Sequence, residues 1–507
     1  MLPLQSVYSS ICRRRLVFFG FALAVAAATC AYPRDITLDE AIDMAVDRSA
    51  RGGIIRGREE VAEQNYYARR INFLLPEISI QGNAPAYTND ESYRLFGADP
   101  EKRLYKTRDF TLNSFIELKQ SVPVVGGTFV ATANLARLDS RYPYTRYSAD
   151  SGYFVDELSS RGFFRFSLEQ QLFRPSAAKF ELHNKKDDFE IARLARHEEQ
   201  AALTTEVIEA YMGVLQLSIR EELYSDKLES ARLKADIDSM KLQDGIVSED
   251  DFLVSASARL DAELESFEIE MQARDRQREL ATLLDAGVTE ALNPSEPVIS
   301  GHLGGAVQQR LIAAWEQSVP IRKAELVFAK AKRSADYAAA GHGLTGDLKA
   351  DYSFGRQRVE AERYDQSTQG LVTSDDDIST AGWGVTLEFK LPLWDGGAGG
   401  AAVKAARFEA EQARLEYDGE RTKARADITS LANQLDVSYR RLEIMRKQIE
   451  LASDKLEIAR SRLADGQISR LTFLESKIFY LESRDRYLDE LRKYLVNRVE
   501  LEGKFTS

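Results

Sequence analysis

Lys241-Leu-Gln-Asp-Gly-Ile-Val-Ser248 returns 221 residues later as Arg462-Leu-Ala-Asp-Gly-Gln-Ile-Ser469. Phe252-Leu253 and Ser255 come back in the same register as Phe473-Leu474 and Ser476. Upstream, the strand-like stretch Phe166–Leu172 corresponds to Val385–Leu391, and Ala45–Arg51 pairs loosely with Ala314–Pro320. Self-similarity at a fixed spacing marks a repeated structural plan. Each half reads helix, strands, very long helix, tight turn, helix. The chain therefore divides into a first repeat, 32–302, and a second, 303–507.

Outward from each turn run long helices. Ile428, Leu435, Leu442, Ile449, Leu456 and Leu463 recur every seven residues, with Leu431, Met445, Ala452 and Ala459 as a companion row. That is a seam for packing helix on helix. An ordinary coiled coil would give the same pattern. In the first half Val207, Val214, Leu228, Ala235 and Leu242 fit the row, whereas Glu221 breaks it. The helix Gly397–Asp465 spans ~100 Å at 1.5 Å per residue. The return helix Ser469–Gly503 and the helix Leu303–Ala340 together match its length. Leu38–Arg70, Ser176–Gln243 and Glu249–Leu284 repeat that sum. Equal columns suggest the wall of a rod or tube, with 286–302 as a belt at mid-height.

Between the helices the period changes to two. Trp383, Val385, Leu387, Phe389, Leu391 and Leu393 alternate with Gly384, Thr386, Glu388, Lys390 and Pro392. Such a stretch, tilted, crosses the ~25 Å apolar band of a membrane β-barrel. Trp383 and Trp394 flank it as interfacial anchors. A half-buried strand of a soluble sheet alternates likewise, but the few strands here have no evident partner sheet. Further strands are expected at Leu74–Asn83, Thr111–Val122, Thr128–Leu138, Gly162–Phe173 and Asp347–Gly355. The polar stretches 84–108, 139–160 and 356–380 read as exposed loops.

Composition narrows the class. The 507 residues hold 68 Lys+Arg against 80 Asp+Glu, a net charge of −12, with 44% hydrophobic residues, 12 prolines and 2 cysteines. An acidic chain lacks the concentrated basic face that nucleic acid requires. No apolar run reaches the ~18 residues of a spanning helix. Arg13, Arg14 and Arg15 precede an apolar run from Leu16 to Ala28, so 1–31 reads as a signal peptide. Its removal leaves no cysteine and a net charge of −15. Alternatively, Ala27-Ala28-Thr29-Cys30 approximates a lipoprotein signal, with Cys30 lipidated.

Chemistry-bearing constellations are missing. His183, His197, His302 and His342 lie far apart without metal-ligand spacing. Gly397-Ala-Gly-Gly-Ala-Ala402 matches a dinucleotide fingerprint. Its strand is amphipathic, however, and the needed second strand with its acid never follows. A tight strand-to-helix turn explains it. No enzyme, cofactor or metal is expected.

The sequence resembles the TolC-type outer-membrane efflux protein family. Ile36-Thr-Leu-Asp-Glu-Ala-Ile-Asp-Met-Ala45, Leu391-Pro-Leu-Trp-Asp-Gly-Gly397 and the doubled Gly-x-x-Ser turns carry the likeness across residues 36–503. It implies a homotrimer: long antiparallel helical hairpins forming a periplasmic tube, and strands from each chain completing one outer-membrane β-barrel. It also implies docking to a periplasmic adaptor and an inner-membrane efflux pump or ABC transporter, for efflux or type I secretion. Gly245, Ile246, Ser248, Gly466, Gln467 and Ser469 would be the docking tips, and Asp251 and Glu475 the entrance acids. Gln467 departs from the apolar residue usual there. Asn113–Val122, the turn Pro123-Val-Val-Gly-Gly127 and Thr128–Leu138 form an extra hairpin beside the family's four strands per chain, inside or outside the barrel. The competing expectation is a periplasmic coiled-coil adaptor or scaffold without a barrel, with Trp383 and Trp394 buried in protein.

Overall fold

The computed structural model describes residues 34–505 apart from 84, 96–101, 123–125, 144–152, 288–291, 299–308, 311 and 366. The expected signal segment 1–31, with Cys30, and His302 lie outside the described residues. The first half runs β1 (Arg34–Ile36), α1 (Leu38–Asp43), a π-turn Met44–Arg48, and α2 (Ala50–Leu74). Strands β2 (Glu77–Gly82), β3 (Ala86–Leu95), β4 (Lys102–Val122), β5 (Gly127–Pro143) and β6 (Phe154–Leu172) follow. Then come α3 (Ala177–Gln243), α4 (Glu249–Leu283) and β7 (Leu292–Pro294). The second half runs α5 (Val319–His342), β8 (Thr345–Asp365), β9 (Gly370–Lys390), α6 (Ala398–Ala464) and α7 (Arg470–Gly503).

The two longest helices, α3 and α6, have 67 residues each. Helices α2 and α4 pack along α3, and α5 and α7 along α6, while α3 and α7 join the two sets. The expected single helices Leu38–Arg70 and Leu303–Ala340 are both interrupted, at equivalent serines. Ser49 and Ser318 adopt extended backbone (ψ 155° and 148°), each closing a short helical turn and opening a long helix. Ser49 caps α2 by accepting from Gly52 N at 3.1 Å. An extended N-cap breaks the helical path whatever the hydrophobic period on either side.

The α6 seam is buried at Ile428, Leu435 and Leu442, and half-buried at Ile449, Leu456 and Leu463. In α3 the buried row is Ile208, Met212, Leu215, Ile219, Leu223, Asp226 and Ser230. It advances eleven residues from Ile208 to Ile219 and again to Ser230. This 3.67-residue period, rather than 3.5, explains why Glu221 falls off the expected heptad row and is exposed. At mid-height β1 and β7 pair in parallel, Arg34 to Leu292 through Ile36 to Pro294. The buried Tyr211 hydroxyl donates between the carbonyls of Ile36, 2.8 Å away, and Ser295, 2.7 Å away, pinning the belt to α3.

The remaining strands form one antiparallel sheet, ordered β2-β4-β5-β6-β8-β9, with β3 continuing β2 along the edge of β4. The expected loops 84–108, 139–160 and 356–380 are largely strand. β3 and the start of β4 fill the first, β5 runs to Pro143, β6 starts at Phe154, and β8 and β9 reach Asp365 and Gly370. Their outer face carries charge instead of hydrocarbon, so the apolar alternation fades while the ladder continues. Ion pairs replace it: Arg356 with Asp377, Arg358 with Asp375 at 2.8 Å, and Lys106 with Glu91 at 3.3 Å.

Candidate functional site

Three surfaces carry the predicted site residues, and the first is the pair of turns. Gly245 donates to Leu242 O (3.0 Å) and Ile246 to Lys241 O (2.8 Å), while Gly245 has φ +70°. In the second turn Gly466 donates to Leu463 O (3.1 Å) and Gln467 to Arg462 O (2.8 Å), with Gly466 at φ +70°. Both are Schellman endings, which place a residue in the left-handed region where only glycine escapes a Cβ penalty. Substituting Gln467 for an apolar residue leaves this backbone unchanged. Ser248 and Ser469 then cap the return helices, accepting from Asp251 N (3.1 Å) and Thr472 N (3.2 Å). All six predicted tip residues are exposed, Ile246 at 70%.

Asp251 and Glu475 are exposed on the return helices α4 and α7. They are not equivalent. Asp251 is the third residue of α4, and its carboxylate accepts from Ser248 Oγ at 2.7 Å in a capping box. In the duplicated register its counterpart is Thr472, and Glu475 lies nearly a turn beyond.

The third surface is the sheet. One cross-strand row reads Ile78, Leu118, Ala131, Phe166, Tyr352, Trp383, and the next on that face reads Ile80, Ile116, Ala133, Phe164, Phe354, Ala381. The row between them, on the opposite face, is Ser79, Glu117, Thr132, Arg165, Ser353 and Gly382. One face is thus apolar at this level and the other polar. Phe164 stacks on Phe354 with centroids 5.0 Å apart. The apolar zone also slants. Phe110 of β4 shares its row with Asp139, Leu158, Glu360 and Asp375, so hydrocarbon at one edge meets charge at the other. The apolar belt slips by roughly two residues per neighbouring strand, close to the offset produced by the ~45° tilt of barrel strands. Trp383 (79% exposed) tops the belt on β9, and Trp394 (89% exposed) lies below it, in the turn to α6. That turn is tied by Asp395, which accepts from Gly397 N (2.8 Å) and Gly399 N (2.7 Å).

Residues 313–503 match the family described as Outer membrane efflux protein. Over that span the chain is similar to the outer membrane efflux proteins. Solved bacterial outer-membrane proteins share the chain's fold. A membrane protein of Pseudomonas aeruginosa is 16% identical, covering 94% of this chain and 91% of its own, with a TM-score of 0.55. The CmeC outer membrane channel of Campylobacter jejuni is 13% identical, covering 92% and 86%, at 0.56. The outer membrane protein VceC of Vibrio cholerae is 13% identical, covering 92% and 94%, at 0.54. No curated protein matches the sequence. Among the described residues no helix is long and apolar enough to cross a membrane.

Sequence reasoning missed the contacts that fasten the two hairpins of this fold together. Lys477 of α7 bridges Asp226 (2.9 Å) and Glu222 (2.9 Å) of α3, Arg220 pairs with Asp485 (2.7 Å), and Arg470 with Glu229 (3.0 Å). Burial alone would lower Lys477, but its two carboxylates outweigh that and hold it above its usual value. No local spacing announces these pairs, since each joins residues more than 200 apart in the chain.

Proposed function

We propose that the chain is one protomer of a trimeric outer-membrane exit duct for efflux or type I secretion. It is built as two repeats, 32–302 and 303–507, with the tube in the periplasm. The slanted apolar belt carries this reading. A soluble sheet has no reason to confine hydrocarbon to a tilted band of one face, with polar rows behind it and charge above it. Lipid gives that reason. The lone protomer supports assembly too. Helix α4 exposes Leu253, Leu260, Leu264, Phe267 and Met271, and α6 exposes Val437, Ile444, Leu451 and Ile458 at seven-residue intervals. Such stripes need partners, and neighbouring copies of the same wall supply them. A barrel-free scaffold would bury Trp383 and Trp394, and both stand exposed.

In this reading the turns at Gly245, Ile246, Ser248 and Gly466, Gln467, Ser469 face the periplasm and meet the adaptor, which joins the duct to an inner-membrane pump or ABC transporter. Glu475, whose carboxylate is not spent on a cap, is the stronger entrance acid. Asp251 joins it at the price of its capping role. The reading predicts extraction from outer membranes only with detergent, as a heat-labile trimer on electrophoresis. A monomer released without detergent overturns it.

A further inference from the structure

We infer that the hairpin β4–β5 is part of the pore wall, so that three copies close a barrel of eighteen strands, six positions from each, through a seam in which β9 of one copy pairs with β2 and β3 of the next. The inference rests on the trimeric reading above and adds the construction of its barrel.

Four observations carry it. First, the hairpin is not appended to the sheet but threaded into it: β4 and β5 are paired over fifteen positions from Arg108–Arg141 to Val122–Gly127, and β5 is paired with β6 from Thr128–Glu169 to Pro143–Phe154. Removing the hairpin from the wall would break both ladders. Second, its two faces obey the same rule as the rest. Leu112, Ile116, Leu118 and Leu135 lie on the apolar face, while Asn113 and Asn134 lie on the other and are hydrogen-bonded to each other at 2.8 Å. A hairpin folded over the outside or into the lumen would not divide its side chains in register with β6 and β8. Third, the slant of the belt passes through the hairpin without a step, so β4 and β5 share the tilt of the other strands.

The fourth observation concerns the edges. Among the described residues β9 pairs only with β8, and β2 and β3 pair only with β4. The free edge of β9 includes Trp383, Val385, Leu387 and Phe389, all more exposed than Phe164, Phe166 and Leu168 inside the sheet. An unpaired peptide edge at that level costs several kcal/mol per group in hydrocarbon. Among the described residues no strand is left to cover it. Six antiparallel positions leave the two edge strands running in opposite directions, so β9 of one copy meets β2 and β3 of the next as an antiparallel pair. A second copy of this chain is therefore the occupant of each edge. Since barrel diameter rises roughly linearly with strand number, the ring is about half again as wide as one closed by four strands per chain.

The test is to image the detergent-extracted full-length protein, returned to lipid nanodiscs, by electron cryo-microscopy. Eighteen wall strands with a β9-to-β2/β3 seam are expected. A twelve-stranded ring with β4 and β5 folded aside overturns the inference and leaves the trimeric duct standing. A particle without three copies in one ring overturns both. As an independent arm, a variant lacking residues 100–148 should still form a trimer, with a barrel narrower by about a third. An unchanged diameter in that variant overturns the inference as well.

Discussion

Gly52 and Gly53 are neighbours in α2 and answer to opposite demands. A Cβ on Gly52 would lie 2.1 Å from Val46 O and 2.7 Å from Ala45 O, both backbone atoms of the π-turn, whereas one on Gly53 meets nothing within 4 Å. Neither glycine needs a left-handed φ, so the difference is one of space. Gly52→Ala must push the π-turn away from the start of α2 and is expected to cost more than ~3 kcal/mol, as overpacking against backbone does. Gly53→Ala should gain up to ~1 kcal/mol, because alanine suits a helix interior better. Thermal unfolding of the two variants followed by circular dichroism checks this, and equal midpoints would refute it. The sequence makes Gly245 and Gly466 legible because a helix ending demands a positive φ at a fixed offset. It hides Gly52 because the demand comes from a turn whose π geometry has no sequence signature.

At the scale of elements, Asp226 and Lys477 decide how α3 holds α7. Asp226 is only 7% exposed and sits in the eleven-residue row that buries hydrocarbon from Ile208 to Leu223. Its carboxylate is tolerable there because Lys477 reaches it. Lys477→Met leaves that acid buried without its cation and should cost ~3–5 kcal/mol, while the pair Asp226→Leu with Lys477→Met should recover most of the loss. A double-mutant cycle on the helical unfolding midpoint measures the coupling; additive effects would disprove it. The pH dependence follows from the same bridge. Lys477 is held above its ordinary 10.5, so its contribution is complete below that value and lost as pH rises through the higher folded one. Heptads over Ile428–Leu463 and alternation over Trp383–Leu393 reveal the columns and the belt, because there a single period dominates. The upper halves of β8 and β9 do not read as strand, since charged residues fill the face that lower down carries hydrocarbon and their pairing is across strands. The same holds for the hairpin-to-hairpin bridges, whose partners are distant in the chain.

At the scale of the whole molecule, an ordinary 44% hydrophobic content conceals two kinds of apolar surface that a lone chain leaves uncovered. The belt faces outward from the sheet, and its natural cover is lipid. The stripes on α4 and α6 run along the helices away from the sheet, and that on α6 is one residue wide with polar neighbours. A stripe that narrow and that long fits a neighbouring helix rather than a bilayer, and the core-facing row of α6 is a separate set, Ile428, Leu435 and Leu442. The two functions of the helix can therefore be cut apart. Ile444→Glu with Leu451→Glu alters side chains 60% and 71% exposed in the single chain, so the protomer should keep its helical content and its core. Burying two carboxylates between copies is opposed by several kcal/mol, and the trimer should fail while the folded chain persists. Heat-labile trimer on electrophoresis, read beside circular dichroism, separates these outcomes. An intact trimer with both glutamates in place would mean that the α6 stripe faces water in the assembly, and that the copies meet through the sheet edges alone.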